Sequence, residues 1–426
     1  MADTDILKLT DATSNKASFV LYTTPVDATK GLSITFDFFS YGGSFLNSVT
    51  EGGDGIGFFF INGSQSPTKP GGFGGSLGYA QRDGGAGIAG GYLGVGFDEF
   101  GFYSASEEGR IGGPGRIPDS VAVRGSAATG YKYLTGSQTS LPGSLDNPGP
   151  QATRDNSRRH AQVDLTPQGL LTVQVDLNGD KDFLDAGERP IVDFDVVGVG
   201  ANGALPSTFK FGFAGSTGTA TNIHEVGNFE VKTSDGTLLS GSFTNSLLIT
   251  GGNSGTPGGV LTGSTGGDTI IGGGGTTSTG DTGADRFVFA GTSKASALKS
   301  STVSKLSKVT DFKFSDGDRF QLDFDNNLNT AQRPKGLSYA GKVKARNLTE
   351  ATKFAYADKS ASKRGKQVLK KDEALFFKFG SRTYLSVNDA KAAFAPKLDL
   401  VADVTGIEFK PGDVKKASLA VGNYFV

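Results

Sequence analysis

The 426-residue chain contains no cysteine and no tryptophan, a single methionine and only two histidines. Without cysteine there is neither a disulfide framework nor thiol chemistry, which suits the cytosol and equally suits a chain exported unfolded. His160 and His224 alone leave a nucleophile–histidine relay little material. His224 sits in the alternating segment TNIHEVGNFEV and is expected to be a hydrogen-bonded strand residue; His160 follows Arg158-Arg159 and is expected at the surface. No apolar run reaches the length of a membrane-spanning helix, and the first residues lack the charged-then-apolar order of a signal peptide. No nucleic-acid-binding motif is present either.

What the chain has in quantity is glycine (65) and phenylalanine (32), a mixture that favours many short strands joined by tight turns. Its length implies two or three domains. The net charge of −1 hides an asymmetry: residues 1–235 carry 16 basic and 26 acidic side chains, a net of −10, and residues 236–426 carry 26 and 17, a net of +9. The acidic half suits cation binding and the basic half an anionic polysaccharide or lipid surface; mutual attraction of two solvated surfaces is the plainer alternative.

Residues 1–235 hold about ten apolar runs between Gly, Pro, Asn and Asp turns, among them LSITFDFF, GIGFFFI, YLGVGFDEF, LLTVQVD and TFKFGFAG. Two packed antiparallel sheets, a jelly roll or β-sandwich, are expected. Three segments carry more. The strand Gly52–Phe60 (GGDGIGFFF), the loop Gly71–Tyr79 (GGFGGSLGY) and the run Gly94–Gly101 (GVGFDEFG) resemble, in order and spacing, three motifs of bacterial L-type (legume-lectin-like, concanavalin-type) lectin domains. The resemblance extends over about residues 10–233. It implies a carbohydrate site in which a carboxylate accepts sugar hydroxyls, a glycine amide donates and an aromatic ring stacks. Carried onto this chain, that names Asp54, Gly74, Gly75 and Phe102, with Asp98 as a metal-side carboxylate. The chain departs from the pattern at Gly96, where the family has a metal-binding Glu, and at Phe102, where it has Asn. No His follows at the usual place. A lectin-like sandwich kept as a structural module, with Asp54 and Asp98 serving turn amides, is the alternative.

Two stretches suggest calcium. In Asp176–Glu188 (DLNGDKDFLDAGE), oxygen side chains alternate as in an EF-hand-type loop, although Gly is at position 4, Glu at 13 and the flanks are strands. Asp176, Asn178, Asp180, Asp182 and Glu188 are the candidate ligands; a hydrated acidic hairpin tip is the alternative. In Gly263–Phe289, GSTGGDTI and GDTGADRF repeat a G-x-x-G-x-D-x-U pattern that resembles the calcium β-roll of repeats-in-toxin proteins, and names Asp268 and Asp285. Gly272–Gly275 is a candidate for a decayed middle copy. A Gly-rich linker is the competing explanation.

Gly236–Val260 is expected to be a linker. Val309–Asp323 reads as strand, D-G-D turn, strand, and resembles the segment that closes such rolls. FGSRTYLSVNDA, followed by Val404–Ile407, resembles the C-terminal "bluetail" domain of cyanobacterial surface proteins over about residues 285–426. That resemblance implies an apolar face of Phe377, Phe379, Tyr384 and Leu385, and the small, apolar end Gly422–Val426 suits an uncleaved type I secretion signal or a last edge strand.

The expected architecture is all-β: a lectin-like sandwich (1–235), a linker (236–260), a short parallel β-roll (261–290) and a β-rich C-terminal domain (291–426). The expected function is a calcium-binding, carbohydrate-binding adhesin or matrix lectin at the cell surface, exported without an N-terminal signal peptide and folded by extracellular calcium. Its partners would be glycans, with a homo-oligomer or filament open. The alternative is a structural subunit of a surface layer. Enzyme activity is not expected, because hydrolysis of glycans needs two carboxylates facing one cleft, and the acidic pairs Asp98-Glu99 and Glu107-Glu108 are sequence neighbours.

Overall fold

Alternation of apolar residues decides which face each strand buries. The computed structural model describes residues 6–44, 51–198, 202–240, 247–251, 259–330 and 332–426. The chain divides into two compact units, Met1–Asn253 and Ser254–Val426.

The first unit is the expected sandwich. One antiparallel sheet runs in the order Leu7–Thr10, Ile223–Thr233, Leu32–Tyr41, Arg158–Leu165, Leu170–Asp176, Ile191–Asp195. The other runs Leu247–Gly251, Ala17–Tyr22, Thr208–Ser216, Gly55–Asn62, Gly91–Asp98, Ser120–Arg124, Tyr133–Gly136. Phe36 and Phe38 of the first sheet meet the second: Phe36 is 4.8 Å from Phe213, 5.6 Å from Phe97 and 5.9 Å from Phe58 between ring centroids. Each such ring buried is worth about 1.5–3 kcal/mol, so this phenylalanine layer holds the two sheets together.

The second sheet is buried on its outer face as well. Phe58 and Phe60 face the sandwich core, while the alternate residue Phe59 packs outward against Phe19 (6.0 Å) and Tyr79 (6.2 Å). Gly94 and Gly96 make that cover possible. A Cβ at Gly94 would lie 2.3 Å from the Tyr79 ring, and one at Gly96 would lie 2.3 Å from the Tyr103 ring. Both tyrosines rest flat where a side chain would otherwise stand, and their loops are thereby fixed over the strand ends. Fully buried Arg124 ties the second loop down by donating to the carbonyls of Tyr103, Ala105, Ile111, Gly112 and Tyr131.

The stretch expected to be a linker contributes strands instead. Leu238–Ser240 pairs with Ile223–Thr233, and Leu247–Gly251 pairs with Ala17–Tyr22. The Leu-Leu-Ile run at 247–249 is apolar enough to be buried, which a solvated linker would not be. The remainder of that stretch, 241–246 and 252–258, lies outside the described residues.

In the second unit the chain winds as a parallel coil. Thr269–Gly272, Arg286–Ala290 and Arg319–Asp323 stack on one side; Val260–Thr262, Thr277–Thr279 and Ser307–Val309 stack on the other. The coil therefore runs past residue 290. The D-G-D segment is a third copy of the repeat, because Ile270, Phe287 and Phe320 occupy one register and bury one column. Gly272–Gly275 is not a copy; it ends one strand and turns the chain toward the opposite stack.

Leu400–Asp403 continues the second stack, followed by Arg382–Val387, Ala374–Phe379 and Leu337–Val343. Of the four residues expected on one apolar face, Phe377 and Tyr384 stack at 5.3 Å and Phe379 packs on the same cluster. Leu385 pairs with Phe376 and points to the other face, which is also buried. A helix not anticipated from the sequence, Leu348–Ala357, covers the cluster with Ala351, Ala355 and Tyr356, residues at helical spacing. Its first turn is capped by Asn347, whose side chain accepts from the Glu350 amide at 2.9 Å. The last residues form a short 3-10 turn, Val421–Asn423, after which Phe425 pairs in parallel with Phe320 (Phe320 N to Tyr424 O 2.7 Å, Val426 N to Phe320 O 3.0 Å), a one-residue version of the expected edge strand, with Tyr424 and Phe425 buried.

Candidate functional site

The three sequence motifs of the first unit meet in one pocket of about 140 Å³. The Gly52–Phe60 strand supplies Asp54, the glycine loop supplies Gly74 and Gly75, and the segment after Asp98 supplies Phe100 and Phe102. Asn15, Arg82, Glu108 and Gly218–Ala220 complete the wall.

Asp54 forms the floor. Its amide donates to Ser216 O at 2.8 Å and its carbonyl accepts from Glu99 N at 3.0 Å, so the main chain is held from both sides. The side chain is buried, and its Oδ2 has no hydrogen-bond partner. A buried carboxylate oxygen without a donor is costly in a folded protein, and such an atom in a pocket wall points to a ligand hydroxyl or amide. Burial, reinforced by the charges of Asp98, Glu99 and Glu108 and opposed by Arg82, pushes the Asp54 carboxyl well above the usual carboxylate range.

The glycines are needed for room. Gly74 has φ +65, and a Cβ there would sit 2.4 Å from Arg82 Nη1; a Cβ at Gly75 would sit 2.3 Å from Phe102 Cβ. Gly218 repeats the device from the opposite wall, where a Cβ would fall 2.6 Å from Asp54 Oδ2. The aromatic side consists of Phe100 and Phe102, 5.3 Å apart, with Arg116 over the Phe100 ring at 4.5 Å. Arg82 closes the pocket: it donates to Phe73 O (3.0 Å), lies over the Phe73 ring (3.9 Å) and pairs with Glu108 (2.5 Å).

Arg82 and the Gly218–Ala220 loop were not singled out in the sequence. The signal for the loop was the run GSTGTAT at 215–221, small residues between two strongly apolar strands. Arg82 carried no signal, since it lies beyond the glycine loop and reaches the pocket only because the Gly71–Ala80 turn folds back on itself through Gly71 N to Gly78 O (2.6 Å) and Gly72 N to Ala80 O (2.8 Å).

Behind the pocket lies a buried polar network. Asn222 donates to Glu99 Oε2 and Asp146 Oδ2, each at 2.8 Å, and His224 bridges Glu99 (3.1 Å) and Thr10 (2.6 Å). His224 is thus a bonded strand residue with no exposure. Burial, with the nearby Glu99 charge, raises the Asp146 carboxyl to about 7. His160 is half-buried rather than fully exposed, bonded to Asp37 at 2.8 Å and stacked on Phe183 at 5.9 Å.

The side chains expected to hold calcium are turned to main-chain amides. Asp98 accepts from Gly101 N (2.8 Å) and Tyr103 N (2.6 Å), closing the loop that carries Phe102, while burial raises its carboxyl to about 7. Asp176 accepts from Gly179 N and Lys181 N, and Glu188 from Leu177 N and Asp185 N. Asn178, Asp180 and Asp182 each accept from the amide two residues on. Asp268 accepts from Ser264 N, and Asp285 from Asp268 N. Among the described residues, no group of three acidic or histidine side chains gathers around one point. As placed, these donor sets do not fit an ion that takes six to eight oxygens.

No family model and no curated protein matches the chain. Among solved structures it is similar to the exoplasmic/lumenal domain of VIP36 in its Ca²⁺/Man-bound form, at 17% identity over 54% of this chain and 78% of that chain, with a TM-score of 0.35. It is also similar to peanut lectin with a nonameric peptide (20% identity, 55% and 86% covered, TM-score 0.34) and to basic winged bean lectin with Tn-antigen (20% identity, 55% and 88% covered, TM-score 0.35). At these scores the likeness carries no weight for the site, whose chemistry rests on the geometry above.

Proposed function

We propose that the first unit binds a carbohydrate in the pocket at Asp54, and that the protein acts as a glycan-binding protein of the cell surface or matrix. The observation that carries this is the unpartnered, buried Oδ2 of Asp54 in a pocket whose walls combine glycine backbone and phenylalanine rings with the polar side chains of Asn15, Arg82, Glu108 and Thr219. A sugar presents hydroxyls on its edge and C–H groups on its face, and such walls satisfy both. The volume of about 140 Å³ is below that of sites for drug-sized ligands, about 300–1,000 Å³. It suits one sugar ring, or the end of a chain, rather than an enclosed oligosaccharide.

In this mechanism Asp54 accepts from ring hydroxyls, the Gly74–Gly75 turn lets the sugar approach the main chain, and Phe102 covers its apolar face. Arg82 and Glu108 hold the rim. No step passes through a metal. Placement outside the cell belongs to the same proposal, and the cysteine-free composition and glycine-rich coil are compatible with it.

The test is a glycan array followed by titration calorimetry with wild type, Asp54→Asn and Phe102→Ala. Replacing one acceptor oxygen of Asp54 by an amide NH2 should weaken binding by about tenfold in Asp54→Asn, with a smaller loss in Phe102→Ala. Glycan affinity indifferent to both changes would remove the site from the pocket, and release of reducing sugar would make it an enzyme.

A further inference from the structure

Asp-Arg-Phe occurs twice in the second unit, as Asp285-Arg286-Phe287 and Asp318-Arg319-Phe320. Parallel register lays one on the other, so Arg286 and Arg319 are direct cross-strand partners with side chains on the same face. Together with Arg333 they line a surface pocket of about 300 Å³, bounded by Gly317, Gly422 and the Phe425–Val426 end. Like charges placed opposite each other on neighbouring strands repel and destabilise a sheet unless a counter-charge is present.

The nearby acidic side chains do not pair with the arginines. Asp285 lines the pocket; its Oδ1 accepts the Asp268 amide at 2.8 Å, and its Oδ2, on the side of Gly280 where a Cβ would be 2.1 Å away, is buried without a hydrogen-bond partner. Asp318 accepts from Asp285 N (2.9 Å) and Lys313 N (2.7 Å). Among the described residues none of the three arginines is ion-paired. Arg286 has only a long contact to Gln321 Oε1 (3.4 Å), and Arg319 donates to its neighbour's carbonyl (2.6 Å) and lies over the Phe314 ring (5.5 Å). Arg319 is thus held in place with most of its five donors uncommitted.

We propose that this pocket binds the carboxylate or sulfate groups of an acidic polysaccharide. A guanidinium fork matches an oxyanion with two parallel hydrogen bonds, and side-by-side forks can grip one group from two directions. The excess of basic residues in 236–426, a net of +9, draws a polyanion toward the pocket in a way that a single small anion would not feel as strongly. The site is independent of the Asp54 pocket and takes a different class of ligand group.

Full-length protein is titrated with dextran sulfate, polygalacturonate and neutral dextran at low and moderate salt. Binding of at least one polyanion, but not of neutral dextran, is expected. Arg286→Gln combined with Arg319→Gln should weaken it about tenfold or more without altering glycan binding at Asp54. Dextran sulfate alone binding assigns the group as sulfate; polygalacturonate alone assigns carboxylate.

The control removes equal charge from an exposed loop with Lys363→Gln and Arg364→Gln. An equal loss there means diffuse attraction and overturns the site. If the double variant melts well below wild type, Arg333→Gln, a change at an exposed side chain, replaces it; unchanged affinity in that variant also overturns the site. So does a wild-type chain that binds neither polyanion.

Discussion

The same residue type closes turns in both units, and it reaches differently in each. In the sandwich, Asp98 takes amides three and five residues ahead of it, so it stabilises its own loop. In the coil, Asp285 takes the amide of Asp268, seventeen residues back, and Asp318 takes that of Asp285, thirty-three residues back. Each of these carboxylates holds the coil before it. One arrangement makes a rigid local platform for a pocket, and the other makes a column whose turns depend on their neighbours.

The largest effect expected from breaking this comparison is at Asp98. Asp98→Ala orphans two buried amides and should cost roughly 2–4 kcal/mol, seen as a lower denaturation midpoint of the first unit. Hydrogen exchange should quicken at Gly101 and Tyr103, and glycan binding should fall as Phe102 loses its support.

Asp285→Ala orphans one amide and should cost about 1–3 kcal/mol. Here faster exchange is expected at Asp268, far away in sequence. Exchange confined to residues 283–287 would mean that the coils are independent.

Acidity gives a smaller and more general effect. Burial first, and neighbouring carboxylates second in Asp146 and Asp285, raise the carboxyls of Asp98, Asp146 and Asp285 to about 7. The folded chain therefore retains protons that the unfolded chain releases near pH 4. Stability from these groups is full below about pH 4 and is lost as pH rises through about 7. Denaturant titrations should show both units firmer at pH 5 than at pH 8. Asp285→Asn, which keeps an acceptor for Asp268 N, should flatten that slope in the second unit alone, by about 1–2 kcal/mol.

The smallest shift is expected from calcium. With the acidic side chains occupied by amides, adding the ion and then a chelator should leave both melting midpoints nearly unchanged. A rise of several degrees would restore the calcium-driven folding expected from the acidic loop and the glycine repeats.

Local pattern was enough to place the strands, because alternation acts over a few residues; Asp54, Gly74, Gly75 and Phe102, which line one pocket, were named by the resemblance to L-type lectin domains and not by pattern alone. The partners of the carboxylates were hidden. An Asp in a glycine turn looks the same whether it faces an ion, its own loop or the preceding coil, and only the register of distant strands decides. The third coil was read as a segment that closes the roll but not as a further copy of it, because Ser293–Leu306, including the helix Lys294–Leu298, stretches the interval between the two Asp-Arg-Phe copies. The helix Leu348–Ala357 was missed amid β-rich surroundings, although its Asn cap and its alanines four apart are ordinary helix signals.

The Asp column also has a mechanical side. Asp318 clasps the coil before it and Asp285 the one before that. The outermost coil is held in turn by Leu400–Asp403 beside Ser307–Val309 and by Phe425 beside Phe320, so a pull on the chain beyond Arg319 meets these pairings before either clasp opens.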